Sequence, residues 1–271
     1  MGRLYAFGFA FSVKKDKMDG DLPGESMPAA VIIPTYNESD NIPALVAEIL
    51  ALPIGAHVIV VDDNSPDGTG ALVDSISARE PRVHAVHRPS KMGLGTAHIA
   101  GMRHAFSFDL DPIVTMDADF SHHPRYIPNL LAGLDKFDVM IGSRYVAGGG
   151  VQGRDLKLRV VSWGANLFAR TMLGLKANDC TAGFRAYRRP VLDSIDLDRV
   201  FSNGYSFLIE MLFLCQSRGW RIGESPVTYE DRRAGTSKIS RAEIYKATYT
   251  VLRLFWRRLR HRTRATFQSI S

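Results

Sequence analysis

Two aspartates separated by a single residue, Asp117 and Asp119, directly follow the apolar run from Ile113 to Met116. A buried strand that ends in such a pair typically holds a cation, and the common case is a divalent metal clamped onto a diphosphate. Mg²⁺ and Mn²⁺ prefer oxygen ligands and bind through one or two carboxylates together with substrate phosphates. We therefore predict a Mg²⁺ or Mn²⁺ site at Asp117 and Asp119, with the Ser121 hydroxyl as a further oxygen ligand, in an enzyme that acts on a nucleotide-linked substrate.

Two histidines and a proline follow this predicted metal site. An oxygen-rich site favours hard metals over zinc, so we expect His122 and His123 to be structural neighbours and not ligands. The alternative role of the aspartate pair is to cap a helix that begins near Pro124.

Polar motifs also follow the first two predicted strands. After the first, Pro34 ends the strand, Tyr36 offers a ring for stacking a base, and Glu38 can accept from a base or ribose donor. After the second, one carboxylate of Asp62 and Asp63 can accept from a nucleobase N–H. The alternatives are a strand-to-helix turn with capping groups for the first motif and a polar turn for the second.

Basic residues follow a later predicted strand. Arg144 comes after the strand that ends at Ile141, and its guanidinium can neutralise a phosphate oxygen by a forked contact. Lys157 and Arg159 lie beyond a glycine-rich loop at 148–153. They either face the same phosphates or begin a solvated helix.

Two further segments carry candidate chemistry. Asp179 stands close to Gly183, which permits close backbone approach. An acid at this point can serve as the base that activates an acceptor hydroxyl, or it can belong to a cap or turn network. A basic segment with Arg232, Gly235 and Lys238 precedes the last helix, and it either closes over a diphosphate or forms a solvated surface loop.

The elements that must position these residues alternate between strand and helix patterns. We predict strands at 29–34, 57–61, 83–87, 113–116 and 139–141, with helices at 42–51, 70–78, 96–106 and 124–134. Further along we predict helices at 158–173 and 209–218, a strand at 221–229, and helical spacing from 242 onward. The alternation predicts an α/β, Rossmann-like fold with a mostly parallel sheet sandwiched by helices. In such sheets ligands bind at the carboxyl ends of the strands, where these polar motifs fall.

Composition restricts the classes of function. The 271 residues carry a formal net charge of +6, which suggests an anionic partner such as a phosphorylated ligand, a membrane surface or nucleic acid. No nucleic-acid-binding motif appears, so we expect no nucleic-acid partner. Cys180 and Cys215 form no motif, so a disulfide scaffold is not expected and a reducing compartment fits better.

The ends of the chain differ from its centre. No window of 18 or more uninterrupted apolar residues occurs, so no spanning helix is expected. We predict a flexible N-terminal extension at 1–27, a catalytic domain at 28–240 and a basic amphipathic C-terminal helix at 241–271. The segment 249–264 mixes large apolar residues with arginines, which suits either a helix on an anionic membrane surface or a helix packed on the domain.

Six ordered motifs together resemble the polyprenol-phosphate (dolichol-phosphate) mannose synthases, which are inverting family-2 glycosyltransferases of A-type fold. The motifs are PTYNE at 34–38, VDDNSPDGT at 61–69, DADFSHHP at 117–124, GSRY at 142–145, DCTAGFRAY at 179–187 and RRAGTSK at 232–238. The resemblance covers roughly residues 29–240.

The resemblance also implies roles for individual residues. The nucleotide would be contacted by Pro34, Tyr36, Glu38, Val61 and Asp63. The donor and metal would lie at Asp117, Ala118 and Asp119, with position 121 a further ligand, where some members carry Gln and this chain has Ser. Phosphates would be held by Arg144, Arg232 and Lys238, with Asp119, Arg144 and Arg232 in the catalytic set and with Asp179 and Thr181 on the acceptor side. Where members often carry a basic residue, this chain has Leu158 between Lys157 and Arg159.

The activity implied by the resemblance is transfer of mannose from GDP-mannose to a polyprenyl monophosphate, with inversion and release of GDP. It implies an enzyme peripherally associated with the cytoplasmic face of a membrane, with a membrane-embedded protein as a further partner. Transfer of glucose or another sugar is the alternative within this class.

Two other classes of protein remain as alternatives. A nucleotidyltransferase that makes sugar nucleotides also uses carboxylates and a divalent metal. It needs a Gly-rich, basic loop after its first strand, and this chain has Pro-Thr-Tyr-Asn-Glu there. A non-catalytic nucleotide-binding subunit would not require both metal carboxylates and the basic closing segment.

Overall fold

Parallel strands form most of the central sheet in the computed structural model, which describes residues 28–153, 156–230 and 241–268. Within these ranges the sheet has seven strands in the order β3-β2-β1-β4-β7-β5-β8. Their bounds are β1 Ala30–Thr35, β2 His57–Asp62, β3 Val83–His87, β4 Ile113–Thr115, β5 Val139–Ser143, β7 Arg185–Tyr187 and β8 Ile222–Pro226. Gly150–Val151 (β6) and Thr228–Tyr229 (β9) pair in a second, two-stranded sheet.

Helices cover both faces of the central sheet. Their bounds are α1 Ile42–Leu50, α2 Thr69–Ser77, α3 Leu94–Ser107, α4 Ile127–Gly133, α5 Leu156–Leu173, α6 Arg189–Asp193, α7 Tyr205–Ser217 and α8 Arg241–Gln268. Successive side chains of a strand point to opposite faces, and β1 accordingly sends Val31 and Ile33 into one core cluster and Ile32 into the other. The predicted α/β fold, a mostly parallel sheet between two helical layers, is confirmed.

One strand of the sheet was missed by the sequence patterns. β7 lies antiparallel between β4 and β5. Its sequence Arg-Ala-Tyr begins with a charged residue, which is not expected in a buried strand. The Arg185 side chain is fully buried because its guanidinium donates to the carbonyls of Ala182, Leu208 and Cys180 at 2.8 to 2.9 Å. A buried charge is tolerated only when its donors are satisfied in this way.

Three predicted elements differ from the structure by more than two residues at a boundary. The helix predicted at 209–218 begins four residues earlier, at Tyr205. The run predicted as one strand at 221–229 is divided between β8 and β9, which belong to different sheets. The helix predicted from Pro124 opens with a 3₁₀ turn over Pro124–Tyr126 before α4 begins at Ile127.

The C-terminal helix α8 packs against α7 and α5. Val251 and Leu254 are buried on its inner side and belong to the same core cluster as Phe207 of α7. Among the described residues, no helix combines the length and apolar character needed to cross a bilayer.

Candidate active site

A cavity of about 510 Å³ lies at the carboxyl ends of β1, β2 and β4. This is the edge of the sheet at which ligands bind in open α/β folds, and the volume is in the range of small-molecule sites. The cavity brings together seven residues that were predicted from three separate sequence motifs: Pro34, Tyr36, Glu38, Asp63, Asp117, Ala118 and Asp119.

Asp119 lines the cavity, is largely buried and is oriented by its own loop. Its Oδ1 accepts from the backbone N–H of Ser121 at 3.0 Å and from the Ser121 hydroxyl. Ser121 is itself buried and is not part of the cavity wall, so in this structure its hydroxyl holds Asp119. Asp117 is partly exposed, and its Oδ1 would lie 3.6 Å from a Cβ built at Gly183.

The carboxylates of Asp117 and Asp119 suit a hard divalent metal. Both line one cavity, and both offer the oxygen donors that Mg²⁺ and Mn²⁺ prefer. Among the described residues, no three His, Cys, Asp or Glu side chains are grouped to hold a metal. A metal at this pair would therefore take its other ligands from substrate phosphates and water. The 3₁₀ turn at Pro124 is capped by the His123 ring. The aspartates therefore do not cap this turn, which was the alternative role predicted for them.

Asp63 holds a loop of the cavity wall. Its Oδ1 accepts from the Arg88 guanidinium at 2.6 Å, and its Oδ2 accepts from the backbone N–H groups of Met92 and Gly93 at 3.2 Å each. Burial raises the pKa of the Asp63 carboxyl, and the Arg88 charge and the two amides oppose that rise. The Asp63 carboxylate, to which the resemblance assigns a nucleotide contact, is thus engaged through both of its oxygens by the loop after β3.

That loop carries Lys91 into the cavity, where its Nζ lies 3.8 Å from the centroid of the Tyr36 ring. Lys91 was not predicted from the sequence. Gly93, directly before α3, and Gly95, in its first turn, were the available signal, because Gly-rich turns between a strand and a helix approach ligands closely.

Asn203 joins this loop to the opposite wall of the cavity. Its Nδ2 donates to the Met92 carbonyl at 2.9 Å, and its Oδ1 accepts from the N–H groups of Gly95 at 3.1 Å and Gly204 at 2.8 Å. Gly93 has φ +97°, and a Cβ there would lie 2.4 Å from Asn203 Nδ2, so only glycine fits.

Other cavity residues missed from the sequence lie far apart along the chain. Met92 comes from the loop before α3, Leu94 and Ala97 from the start of α3, Tyr205 from the start of α7, and Lys246 from α8. No local pattern connects these positions, since only the packing of α7 and α8 brings them to one cavity.

Arg144 and Asp179 form a buried ion pair next to this site. The Arg144 fork donates to both carboxylate oxygens, at 2.7 and 2.8 Å, and Nη2 also donates to the Thr181 hydroxyl at 2.8 Å. Burial opposes ionisation of Asp179, but the hydrogen bonds and charge of Arg144 outweigh it and hold its pKa below the usual value. The fork predicted for a phosphate oxygen is therefore occupied by Asp179 in this structure.

The loop that carries Asp179 is fastened from two sides. Glu224 of β8 accepts from the N–H groups of Asn178 at 2.7 Å and Asp179 at 3.0 Å. Asn166 of α5 donates to the Asn178 carbonyl and accepts from the Cys180 N–H at 2.7 Å. This arrangement is the turn network that was the alternative role of Asp179.

The remaining candidate residues lie elsewhere. Val61 is fully buried in β2, and its carbonyl accepts from the Thr35 hydroxyl at 3.3 Å. Arg232, Gly235 and Lys238 lie outside the described residues, as do the side chains of Lys157, Leu158 and Arg159. Among the described residues, the predicted site residues that do not line the cavity include Val61, Ser121, Arg144, Asp179 and Thr181.

Sequence comparison identifies, along most of the chain, the glycosyltransferase family that the six sequence motifs resemble. The model of the family described as "Glycosyl transferase family 2" matches residues 30–196. A polyprenol monophosphomannose synthase of Mycolicibacterium smegmatis is 44% identical over 223 residues, which cover 82% of this chain and 84% of that protein. An undecaprenyl-phosphate mannosyltransferase of Micrococcus luteus is 43% identical over 227 residues, which cover 84% and 93%.

Structure comparison finds the same fold at low sequence identity. The glucosyl-3-phosphoglycerate synthase of Mycobacterium tuberculosis, in complex with Mn²⁺, UDP-glucose and phosphoglyceric acid, superposes with a TM-score of 0.62 at 19% identity. The match covers 84% of this chain and 80% of that one. The same enzyme with Mg²⁺ and UDP gives a TM-score of 0.62 at 20% identity, covering 84% and 79%.

Proposed function

The chain belongs to glycosyl transferase family 2, and from that premise we propose that it transfers mannose from GDP-mannose to a polyprenyl monophosphate, with inversion at the anomeric carbon. The observation that carries this proposal is the cavity, which gathers residues of the 34–38, 61–69 and 117–124 motifs at one edge of the sheet. The two mannosyltransferases that are 44% and 43% identical over more than four fifths of the chain support the choice of sugar and acceptor.

The donor nucleotide would occupy the side of the cavity formed by β1 and β2. Tyr36 offers a ring for the base, and Glu38 offers a carboxylate for the base or the ribose. Asp63 would act through the loop that it holds, because that loop places Lys91 over Tyr36.

The diphosphate would lie near Asp117, Ala118 and Asp119. Asp117 and Asp119 would hold Mg²⁺ or Mn²⁺, which when bound would offset the negative charge that develops on the departing GDP. Crystal structures of the fold neighbour contain Mn²⁺ or Mg²⁺, in agreement with this assignment. Arg232 and Lys238, from the segment after β9, would contribute further positive charge at the phosphates.

The acceptor phosphate needs no strong general base. A phosphate monoester with a second pKa of ~6 is mostly a dianion at neutral pH, so it is already a nucleophile. One of its oxygens would attack the anomeric carbon in line, and the electron pair of the breaking C–O bond would leave with GDP. Asp179 would keep Arg144 in place on the acceptor side, since the two are already joined by a forked contact.

The acceptor lipid lies in a bilayer, so the enzyme must work at a membrane surface. We assign it a peripheral position on the cytoplasmic face, where nucleotide sugars are available, with a membrane-embedded protein as a further partner.

A panel of labelled GDP- and UDP-sugars with a short polyprenyl phosphate, followed by extraction into organic solvent, tests the proposal. We expect label in the lipid fraction from GDP-mannose in the presence of Mg²⁺ or Mn²⁺. If only another sugar nucleotide gave label in the lipid fraction, that nucleotide would be the donor in place of GDP-mannose. Tight GDP binding by calorimetry without transfer from any donor would instead favour a nucleotide-binding subunit.

A further inference from the structure

Helix α8 presents large apolar side chains on two opposite sides. Val251 and Leu254 face the core and are buried. Tyr249, Leu252 and Trp256 recur at every third or fourth position and, at 100° per residue, form a stripe roughly opposite to them. These three side chains are 60%, 41% and 61% exposed. A helix that is apolar on two sides normally has both sides covered, one by the protein and one by a partner.

Helix α5, which packs against α8, has the same arrangement. Ala169 and Leu173 are buried on its inner side, whereas Val160, Trp163 and Leu167 are exposed on its outer side. The two outer stripes therefore lie on neighbouring helices. We call them together the α5–α8 face, defined by Val160, Trp163, Leu167, Tyr249, Leu252 and Trp256.

The positive charge of the protein is concentrated on one of these helices. Between Arg241 and Gln268 the sequence has eight Lys and Arg residues and a single acid, Glu243. The net charge of α8 is thus +7, whereas the whole chain carries +6. Arg257 is exposed beside the apolar stripe, and Arg253 lies over the Phe201 ring at 3.9 Å.

We propose that the α5–α8 face docks on an anionic lipid bilayer, with its aromatic side chains at the depth of the headgroups and with Arg257 and the net positive charge of α8 attracting acidic lipids. Trp163, Tyr249 and Trp256 are of the types enriched at membrane interfaces, where one end of the ring is apolar and the other wet. An amphipathic helix with a basic flank binds such a surface by apolar burial together with electrostatic attraction.

The docked orientation brings the acceptor side of the site to the lipid. The same helix that exposes Trp163 outward holds the 178–180 loop through Asn166, and its Ser162 hydroxyl lies 3.4 Å from the Tyr145 hydroxyl. Tyr145 follows Arg144 in the chain. This inference rests on the proposed function for its purpose, because a lipid acceptor is what the docked enzyme would reach.

Vesicle flotation of the full chain tests the inference without nucleotide or polyprenyl phosphate. We expect flotation with vesicles that contain phosphatidylglycerol, much less with pure phosphatidylcholine, and release at high salt. The pair Trp163→Ser and Leu167→Ser, and separately the pair Tyr249→Ser and Trp256→Ser, should each weaken binding about tenfold. Phe108→Ser, at a residue that is 49% exposed but lies beside β3, is the matched control and should not change binding.

Tryptophan fluorescence gives a second measurement with conservative variants. The chain has three tryptophans, and in the Trp220→Phe variant only Trp163 and Trp256 remain. We expect a blue shift with anionic vesicles and quenching by brominated lipid. Removing either remaining tryptophan by a change to Phe should lower the quenched signal while flotation persists.

Three results would overturn the inference. The first is failure of the wild-type protein to float with anionic vesicles at low salt. The second is flotation that both double variants retain. The third is a concentration-dependent dimer that the same double variants abolish, which would make the α5–α8 face an interface between two copies. Because these vesicles carry no substrate, loss of sugar transfer and loss of docking are separate outcomes.

Discussion

The carboxylate of Asp179 and the guanidinium of Arg144 meet by two parallel hydrogen bonds in a site from which water is nearly excluded. The two side chains are 0% and 7% exposed. Removing one member of such a pair leaves an uncompensated buried charge, which is far more costly than losing an exposed pair. The pair therefore fixes the position of Arg144 before any ligand arrives.

Asp179→Asn should destabilise the protein by about 3 kcal/mol and lower kcat, because the Arg144 charge loses its partner. Urea denaturation and sugar-transfer assays measure the two effects. The control is Asp198→Asn, which weakens the exposed pair with Arg103 and should cost about 1 kcal/mol or less. If the pH profile of the wild-type kcat showed one ionisation that is absent from the profile of Asp179→Asn, Asp179 would be a general base and this positioning role would be wrong.

Replacing both Asp117 and Asp119 by Asn should abolish transfer from GDP-mannose. The wild-type enzyme should lose activity in chelator and recover it with Mg²⁺ or Mn²⁺, because in the proposed site the two carboxylates would supply oxygen ligands to the metal. Asp40→Asn, at an exposed acid outside the cavity, should leave transfer unchanged. Retained transfer by the double variant in chelator would refute the metal assignment.

Gly93→Ala should weaken GDP binding about tenfold and destabilise the protein, because its Cβ would overlap Asn203, which joins the two walls of the cavity. The matched control is Gly55→Ala. Gly55 also has a positive φ, but no atom lies within 4 Å of its Cβ position, so only the backbone strain of about 1–2 kcal/mol should appear. Titration calorimetry with GDP separates the two, and equal affinity in both variants would be incompatible with the role of Asn203.

Acid should destabilise the protein through His98. This ring is buried and stacked on Phe207 with ring centroids 5.6 Å apart, and burial lowers its pKa to about 3. Since the unfolded chain binds a proton near the ordinary histidine pKa of 6.5 and the folded chain does not, the stability supplied by neutral His98 is full above that pH. It declines as pH falls from there toward 3, by up to about 1.4 kcal/mol per unit.

Urea denaturation across this pH range checks the prediction. His98→Leu should flatten the pH dependence of the unfolding free energy by up to that slope. Phe207→Leu removes the stacking partner but no titrating group, so it should lower stability at every pH and keep the slope. An unchanged slope in His98→Leu would show that the ring is protonated in the folded state.

Sequence patterns predicted the fold and one half of the cavity for the same reason. Apolar runs predicted the strands of the parallel sheet, and polar residues directly after those runs had to meet at one edge. Asp63, Asp117 and Tyr36 were found in this way. β7 was missed because Arg185 interrupts its apolar pattern, and the carbonyls that satisfy its charge, one of them 23 residues away at Leu208, form no sequence pattern.

The rest of the cavity depends on tertiary packing. Asn203 reaches the Met92 carbonyl from more than a hundred residues away, and Lys246 arrives on a helix that lies outside the predicted bounds of the catalytic domain. Such contacts have no local period. The ion pair between Arg144 and Asp179 was likewise not predicted, because each residue taken alone is of a type that binds a ligand.

The reversed direction of β7 has a consequence for how this enzyme could diversify. The chain reaches β7 from the substrate edge of the sheet, so the segment that delivers Asp179 and Thr181 is a connection that precedes a strand, while Tyr36, Asp63 and Asp117 stand after theirs. Length changes in residues 174–184 would remodel the proposed acceptor-side contacts and leave the alignment of β1 with β2 and β4 intact. A new acceptor could thus be acquired without rebuilding the proposed nucleotide site.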